Sequence, residues 1–465
     1  MNSSPSIALK TSSGAASGLF DQSALVTLAE RLVEAARRAG ADAADAVAVR
    51  GISQGVEVRD GRVEESERSE GDDLGLRVLV GRRQAVVSTN DIRGDGIASL
   101  AERAVAMARV APEDKFIGLA DPADLARDFP ELDLLDPNIP STTELERRAR
   151  EAEAAGLAVE GVSKSGGASA SAGIGGMVLV TSSGFHGSYL RSSHGISMTA
   201  ISGDGTSMER DYDFSSALHA SDLAAPETVG RKAGERVVAR VNPRKVATCK
   251  VPVVYDPRVS NSLVGHLVAA INGASIARKT SFLKDRLGRQ LFAGNIRIID
   301  DPLRVRGLRS QAFDAEGVRV KKLAIVDGGE LTSWLLDCAT ARELGMATTG
   351  HAHRGVSSAP SPGAYNLHLE PGSDSPSELI ADIKQGFYVT DLIGSGVNGV
   401  TGDYSRGASG FWIENGQITY PVSEVTIAGH MLDMFKSLTP ANDLQFRYGI
   451  NAPTLRIEGM TLGGR

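Results

Sequence analysis

The sequence predicts an α+β fold: antiparallel sheets with flanking helices in the N-terminal half, and a β-rich C-terminal domain built as a barrel or a curled sheet. Three observations predict it. Glycine is frequent, at 52 of 465 residues, while aromatic residues make up only 5%; that balance suits many turns and strands better than a helical bundle. Before residue 245 the pattern of helix, several strands, helix occurs twice. Beyond residue 246 short strand-like runs between turn residues dominate.

The elements follow in order. Residues 1–20, rich in Ser, Gly and Ala, read as a disordered tail. Residues 21–110 read as an N-terminal α/β domain. Asp21 is placed as the N-cap of a helix to residue 39, with Leu25, Leu28, Ala29, Leu32 and Ala36 at helical spacing and Gly40 as its stop. Strands are expected at 46–50, 55–59, 74–80 and 84–89, with a hairpin turn at Asp60-Gly61 and a second helix over 97–110. Five prolines between residues 112 and 140 mark 111–140 as an ordered connector. A middle α+β domain, 141–245, opens on a capping box from Ser141 to Glu144, with strands over 168–213 and a helix from Pro226. The C-terminal β-rich domain, 246–465, begins with a strand at 250–255 and an apolar helix at 259–271, in which Leu263, Val264, Leu267, Val268 and Ile271 form a buried stripe. Strands follow at 296–299, 322–326, 365–369, 411–413 and 417–420, and Asn415-Gly416 is a hairpin turn.

Composition removes several function classes. A formal net charge of −7 gives no basic footprint for nucleic acid. Two cysteines, Cys249 and Cys338, can build neither a zinc ribbon nor a disulfide framework, and suit a reducing, cytoplasmic setting. No apolar run approaches the length of a membrane span, and the N-terminus lacks the apolar core of a secretory signal.

The motifs are weak one by one. None of the eight histidines is followed by glutamate, so the helical H-E-x-x-H zinc motif is absent. His351 and His353 sit two apart, a spacing that puts two imidazoles on one side of a strand; a polar loop after Gly350 is the plainer reading. Gly51 to Gly55 fits G-x-S-x-G, but a strand-like stretch follows where a nucleophile elbow needs a helix. Gly394 to Gly399 fits G-x-G-x-x-G, again with no helix after it. That run reads either as exposed backbone open to strand addition by an extended peptide or as a fixed glycine turn. Gly394, Ser395, Gly396, Val397 and Asn398 are therefore the candidate peptide- or partner-facing residues. Asp300-Asp301 before Pro302 reads as a turn, and Arg304, Arg306 and Arg309 as a solvated face.

The C-terminal third is more specific. Residues 390–398 (TDLIGSGVN), 401–416 (TGDYSRGASGFWIENG) and 420–429 (YPVSEVTIAG) resemble the TldD/PmbA family, and more closely its PmbA branch, also called TldE. Residues 279–283 (KTSFL), 335–345 (LLDCATARELG) and 71–78 (GDDLGLRV) add to the resemblance, which spans about 25–465. It implies a three-part chain and a TldD–TldE heterodimer that acts as a metallopeptidase on partly unfolded or small peptides. In the zinc branch the metal is held by H-E-x-x-x-H on a helix and by a C-terminal cysteine. On this chain those helix positions fall at about Val264, Gly265 and Ala269, with His266 unpartnered between them, and residues 444–449 carry no cysteine. The resemblance therefore implies no catalytic residue and no metal ligand here, with zinc in a TldD-like partner subunit. An autonomous metallopeptidase using His351 and His353, and a non-enzymatic peptide-binding or adaptor homodimer, are the alternative expectations.

Overall fold

The computed structural model describes residues 21–91 and 96–465; the tail expected at 1–20 lies outside them. The first part runs α1 (Ser23–Arg38), β1 (Ala43–Arg59), β2 (Arg62–Val80), β3 (Arg83–Thr89) and α2 (Ile97–Val110). The second repeats the plan as α3 (Thr142–Leu157), β4 (Val162–Thr181), β5 (His186–Ser202), β6 (Glu209–Ala217) and α4 (Pro226–Ala239). All six strands form one antiparallel sheet in the order β3-β2-β1-β4-β5-β6, curled into a half-barrel. The two repeats meet where β1 pairs β4, from Asp45 opposite Thr181 to Val58 opposite Ala168.

Local details depart from the sequence reading. Gln22, not Asp21, caps α1; the Asp21 carboxylate still accepts from the Ser23 N–H at 2.9 Å. Gln22 is held there because its Nε2 donates to the Tyr189 carbonyl at 3.0 Å. The stretches 46–50 and 55–59 belong to one strand, because Gly51 to Gly55 pair with β2 on one side and β4 on the other. Strand β2 starts at Arg62 rather than 74: its charged first half is exposed and is ordered by ladder bonds to β1, not by burial. Ser141 Oγ does accept from Glu144 N–H at 3.2 Å, but the Glu144 carboxylate is taken by Arg147 and Arg148.

Side-chain alternation assigns the two faces of the sheet. Ala44, Ala46 and Ala48 of β1 pack under α1 and α2, while Val56 and Val58 of the same strand pack under α3 and α4. Both helix pairs therefore cover one face. At Gly230 any Cβ would collide with the Ala152 carbonyl, so α3 and α4 touch through backbone. The opposite face, with Val47 and Leu179, receives Phe313, Val318 and Cys338 from the C-terminal part.

That part contains β7 (Cys249–Tyr255), α5 (Pro257–Ala270), α6 (Gly273–Ala277), β8 (Ile298–Asp300), β9 (Leu323–Asp327), β10 (Glu330–Leu331) and α7 (Cys338–Leu344). It continues through β11 (Ala352–His353), β12 (Ser361–Pro362), β13 (Leu367–Leu369), α8 (Pro376–Ile380), β14 (Gln385–Ile393), β15 (Asp403–Glu414) and β16 (Gln417–His430). It ends with α9 (Met431–Ser437), β17 (Thr439–Pro440), β18 (Ile450–Asn451) and β19 (Leu455–Gly463). Strands β16, β15, β14, β7 and β19 lie side by side, and the pairing of β16 with β19 closes them into a five-stranded barrel. A second sheet, β10-β9-β8-β13-β18, stands beside it. The strands expected at 411–413 and 417–420 are pieces of β15 and β16. Irregularities between Ala408 and Gly410 and between Phe411 and Ile413 break the alternation that would have shown their length. Among the described residues no helix is long and apolar enough to cross a membrane.

Candidate functional site at the seam of sheet and barrel

Helix α5 leaves the barrel directly after β7. Asp256 caps it, accepting from Arg258 N–H at 2.9 Å, and Pro257 fills the first position. Leu263, Val264, Leu267 and Ile271 are buried in the barrel core as the apolar spacing requires, and Val268 packs against that core only partly buried. Val264 is thus turned into the core, a Cβ on Gly265 would meet nothing within 4 Å, and Ala269 is exposed. None of these three offers a donor atom. His266 is half-buried, and burial together with Arg406 lowers its pKa to about 4. Its ring lies 6.0 Å from that of Tyr404. Among the described residues no group of three His, Cys, Asp or Glu is placed to hold a metal ion. The side chains on this helix do not fit a zinc ion.

His351 and His353 come together around Tyr365, at ring distances of 5.3 and 4.6 Å. His351 is buried, with Nδ1 at 2.9 Å from the Thr349 carbonyl and Nε2 at 3.3 Å from Asp300 Oδ2. Burial and the neighbouring His351 lower the pKa of His353 to about 4. Asp300 is not in a turn: it ends β8, is fully buried, and accepts the Tyr365 N–H at 2.8 Å. The turn reading holds one residue later: Asp301 Oδ1 accepts from Leu303 N–H at 3.0 Å across a turn at Pro302, while Asp300 is kept in β8 by its pairing with β13. Arg304, Arg306 and Arg309 are exposed, as expected of a solvated face; Arg306 pairs there with Asp133 and Asp222, and Arg304 lies over the Phe446 ring.

Gly394 to Asn398 form the turn between β14 and β15. Gly394 and Gly396 have φ of 80° and 67°, and a Cβ on Gly396 would strike the Arg406 side chain. Gly396 O accepts from Ser405 N–H at 2.8 Å, and Asn398 Oδ1 accepts from Val400 N–H at 3.0 Å. Ser395 and Asn398 are exposed, flanked by the exposed apolar side chains of Ile393 and Val400.

Next to this turn the barrel meets the edge of the N-terminal sheet. Asp211 of β6 binds Arg258 of α5 at 2.7 Å and Arg240, the C-cap of α4, at 3.3 Å. Asp213 binds Arg236 at 2.6 Å and Arg447 at 2.7 Å. Burial works against the charge on both carboxylates, but the arginines outweigh it and hold their pKa values below the ordinary range. A cavity of about 470 Å³ lies in this seam. Sequence reasoning missed the seam because acids on β6 and arginines on α5 and at 447 are far apart in the chain and share no local motif.

The chain belongs to the PmbA/TldD metallopeptidase family. The family's domain 1 matches residues 44–108, its central domain 135–241 and its C-terminal domain 248–464. The chain is 38% identical to the metalloprotease PmbA of Escherichia coli O157:H7, covering 89% of this chain and 90% of that one. It is equally 38% identical to a PmbA homologue of Haemophilus influenzae, covering 93% and 94%. Among solved structures, a Bacteroides thetaiotaomicron protein described as a candidate modulator of DNA gyrase superposes with a TM-score of 0.88 at 27% identity, covering 94% of this chain and 98% of that one. TldE of Thermococcus kodakarensis shares the fold, with a TM-score of 0.84 at 19% identity, covering 94% and 100%.

Proposed function

We propose that this chain is the zinc-free subunit of a two-chain metallopeptidase that acts on unfolded or small peptides. The observation that carries the reading is α5: the chain belongs to a metallopeptidase family, yet Val264, Gly265 and Ala269 offer no ligand atoms. A hydrolytic zinc needs about three protein ligands and a water. The metal then belongs to a paralogue bearing H-E-x-x-x-H, and this chain completes the wall around the paralogue's site. A TldD homologue of Haemophilus influenzae is 26% identical to this chain over 218 residues, which supports the existence of such paralogues. The Gly394–Asn398 turn, exposed and rimmed by Ile393 and Val400, is the surface offered to peptide or partner. The test is peptidase turnover on an unfolded protein substrate by the purified chain, by the paralogue, and by the two mixed. Turnover only in the mixture is expected. Turnover by this chain alone contradicts the proposal; a mixture that binds peptide without cleaving it points to an adaptor.

A further inference from the structure

We propose that the end of the C-terminal barrel, at Arg406, binds the C-terminal carboxylate of a peptide. The inference rests on the peptide-handling reading above and gives this chain its own part in substrate recognition. Tyr404, Arg406 and Ala408 alternate onto one side of β15, and Tyr404 and Ala408 belong to the barrel core. Arg406 stands opposite Ile427 of β16, which is fully buried. The last β14–β15 pair is Ile393 opposite Gly407, so Arg406 sits at the barrel's end, beside the Gly394–Asn398 turn. Among the described residues its guanidinium has no carboxylate partner. Its Nε is sealed without a hydrogen-bond partner, but neither terminal nitrogen is among the sealed, unpartnered atoms, and the residue is half-buried. Every other arginine among the described residues that is not exposed binds a carboxylate or a backbone carbonyl, as Arg77, Arg258, Arg354 and Arg191 do. A half-buried charge without a counter-charge is destabilising, and native folds rarely keep one without a use.

The surroundings select the ligand. The groups close enough to feel the guanidinium are His266, Tyr404 and Tyr255. Burial pushes both phenols up, and His266, with a pKa of about 4, is an uncharged imidazole at neutral pH. The site therefore holds a single unbalanced positive charge among neutral polar groups. A carboxylate cancels it and matches the planar fork of an arginine; a phosphate dianion would leave a surplus negative charge. The turn beside it carries Gly394 and Gly396, and a Cβ on Gly396 would strike the Arg406 stem, so backbone rather than side chain walls this approach. Ile393 and Val400, 67% and 57% exposed, give an apolar flank for the residues that lead to the carboxylate. The end of a peptide brings one length of chain past that wall, whereas an internal Asp or Glu brings two. Capture of a chain end by its carboxylate is a recurring mode of peptide recognition.

The experiment is fluorescence anisotropy of the full chain, alone, with an N-terminally labelled hexapeptide of Ala, Gly and Leu, as the free acid and as the C-terminal amide. The acid is expected to bind roughly 10- to 100-fold tighter, the range for a hydrogen bond to a charged group. Arg406→Gln should remove that preference, and Arg406→Lys should keep part of it. Because Arg406→Gln takes away an unbalanced charge, its thermal midpoint should stay put or rise. Should that variant not fold, Arg406→Lys and the acid-to-amide ratio of the unaltered chain still decide. No binding, equal binding of acid and amide, or a preference that survives Arg406→Gln overturns the site. Displacement of the acid by inorganic phosphate, beyond that by chloride at equal ionic strength, overturns it as a general anion site. Loss of the preference on adding the H-E-x-x-x-H paralogue overturns it by giving Arg406 to an acidic side chain of the partner. These failures are separable from failure of the subunit reading. Turnover by the mixed chains with no acid preference sinks only the carboxylate site. An acid preference that depends on residue 406, with no turnover in the mixture, sinks only the subunit reading.

Discussion

The N-terminal sheet meets the C-terminal part along two seams made of the same materials and finished differently. In the first, Asp45 of β1 binds Arg77 at 2.8 Å through Nε and also binds Arg354, with every one of these side chains at most 4% exposed. Glu316 and Cys338 lie close by, and an aromatic cluster of Phe129, Phe185 and Phe313 packs beside them. In the second, Asp211 binds Arg258 and Arg240 in the lining of the 470 Å³ cavity, and Asp213, two residues on, binds Arg236 and Arg447. The first seam is packed shut, although Arg354 Nε and Nη2 have no hydrogen-bond partner among the described residues; the second borders an open space. The difference teaches that an arginine–carboxylate pair has no fixed role. Sealed in, it fixes how the two parts dock; beside a cavity, each arginine is shared among several carboxylates, so no single pair carries the seam.

Breaking the sealed seam should have the largest effect. Asp45→Ala leaves Arg77 and Arg354 buried without a counter-ion and should cost about 3–5 kcal/mol, read by urea denaturation. Burial pushes the Asp45 carboxyl up, but Arg77 and Arg354 outweigh it and hold its pKa below the ordinary value. Its share of stability is therefore intact above about pH 4 and lost only as pH falls further. At the open seam, Asp211→Ala should cost about 1–3 kcal/mol by the same assay, because Arg258 keeps Asp256 at 3.6 Å and Arg240 keeps Glu209 and Asp391. Equal losses at the two positions would erase the distinction.

The acids and arginines of both seams were illegible in the sequence, and the reason is topological. Asp45 and Arg354 are brought together only when the β1 ladder and the chain after β11 meet, and neither carries a motif. What was legible had a local cause. The 97–110 helix, the Asp60-Gly61 and Asn415-Gly416 turns and the apolar side of α5 each follow from spacing or from residues suited to positive φ. The closed barrel was readable only as barrel or curled sheet, since closure depends on β16 reaching β19 across the last thirty-odd residues of the chain.

Acidity should separate the interior further. Burial, with help from Arg406 at His266 and His351 at His353, lowers both imidazoles to about 4, against roughly 6.5 in an unfolded chain. Between those values the unfolded chain takes up protons that the folded chain refuses, so stability should fall as pH drops from about 6.5 to 4. His353→Phe should flatten that slope in denaturation curves recorded across the window; an unchanged slope would place the titration elsewhere. The smallest effect is expected at Thr390. Thr390→Val removes a buried hydroxyl that bonds to nothing among the described residues, so the thermal midpoint should stay put or rise slightly. A clear fall would mean that the hydroxyl has a partner in the folded chain.

The central claim is that this chain holds no catalytic metal of its own, and metal analysis of the purified protein tests it most directly. After purification with zinc present and removal of loosely bound ions, the account expects far less than one zinc per chain. About one tightly held zinc per chain, lost together with activity on chelation, would contradict it.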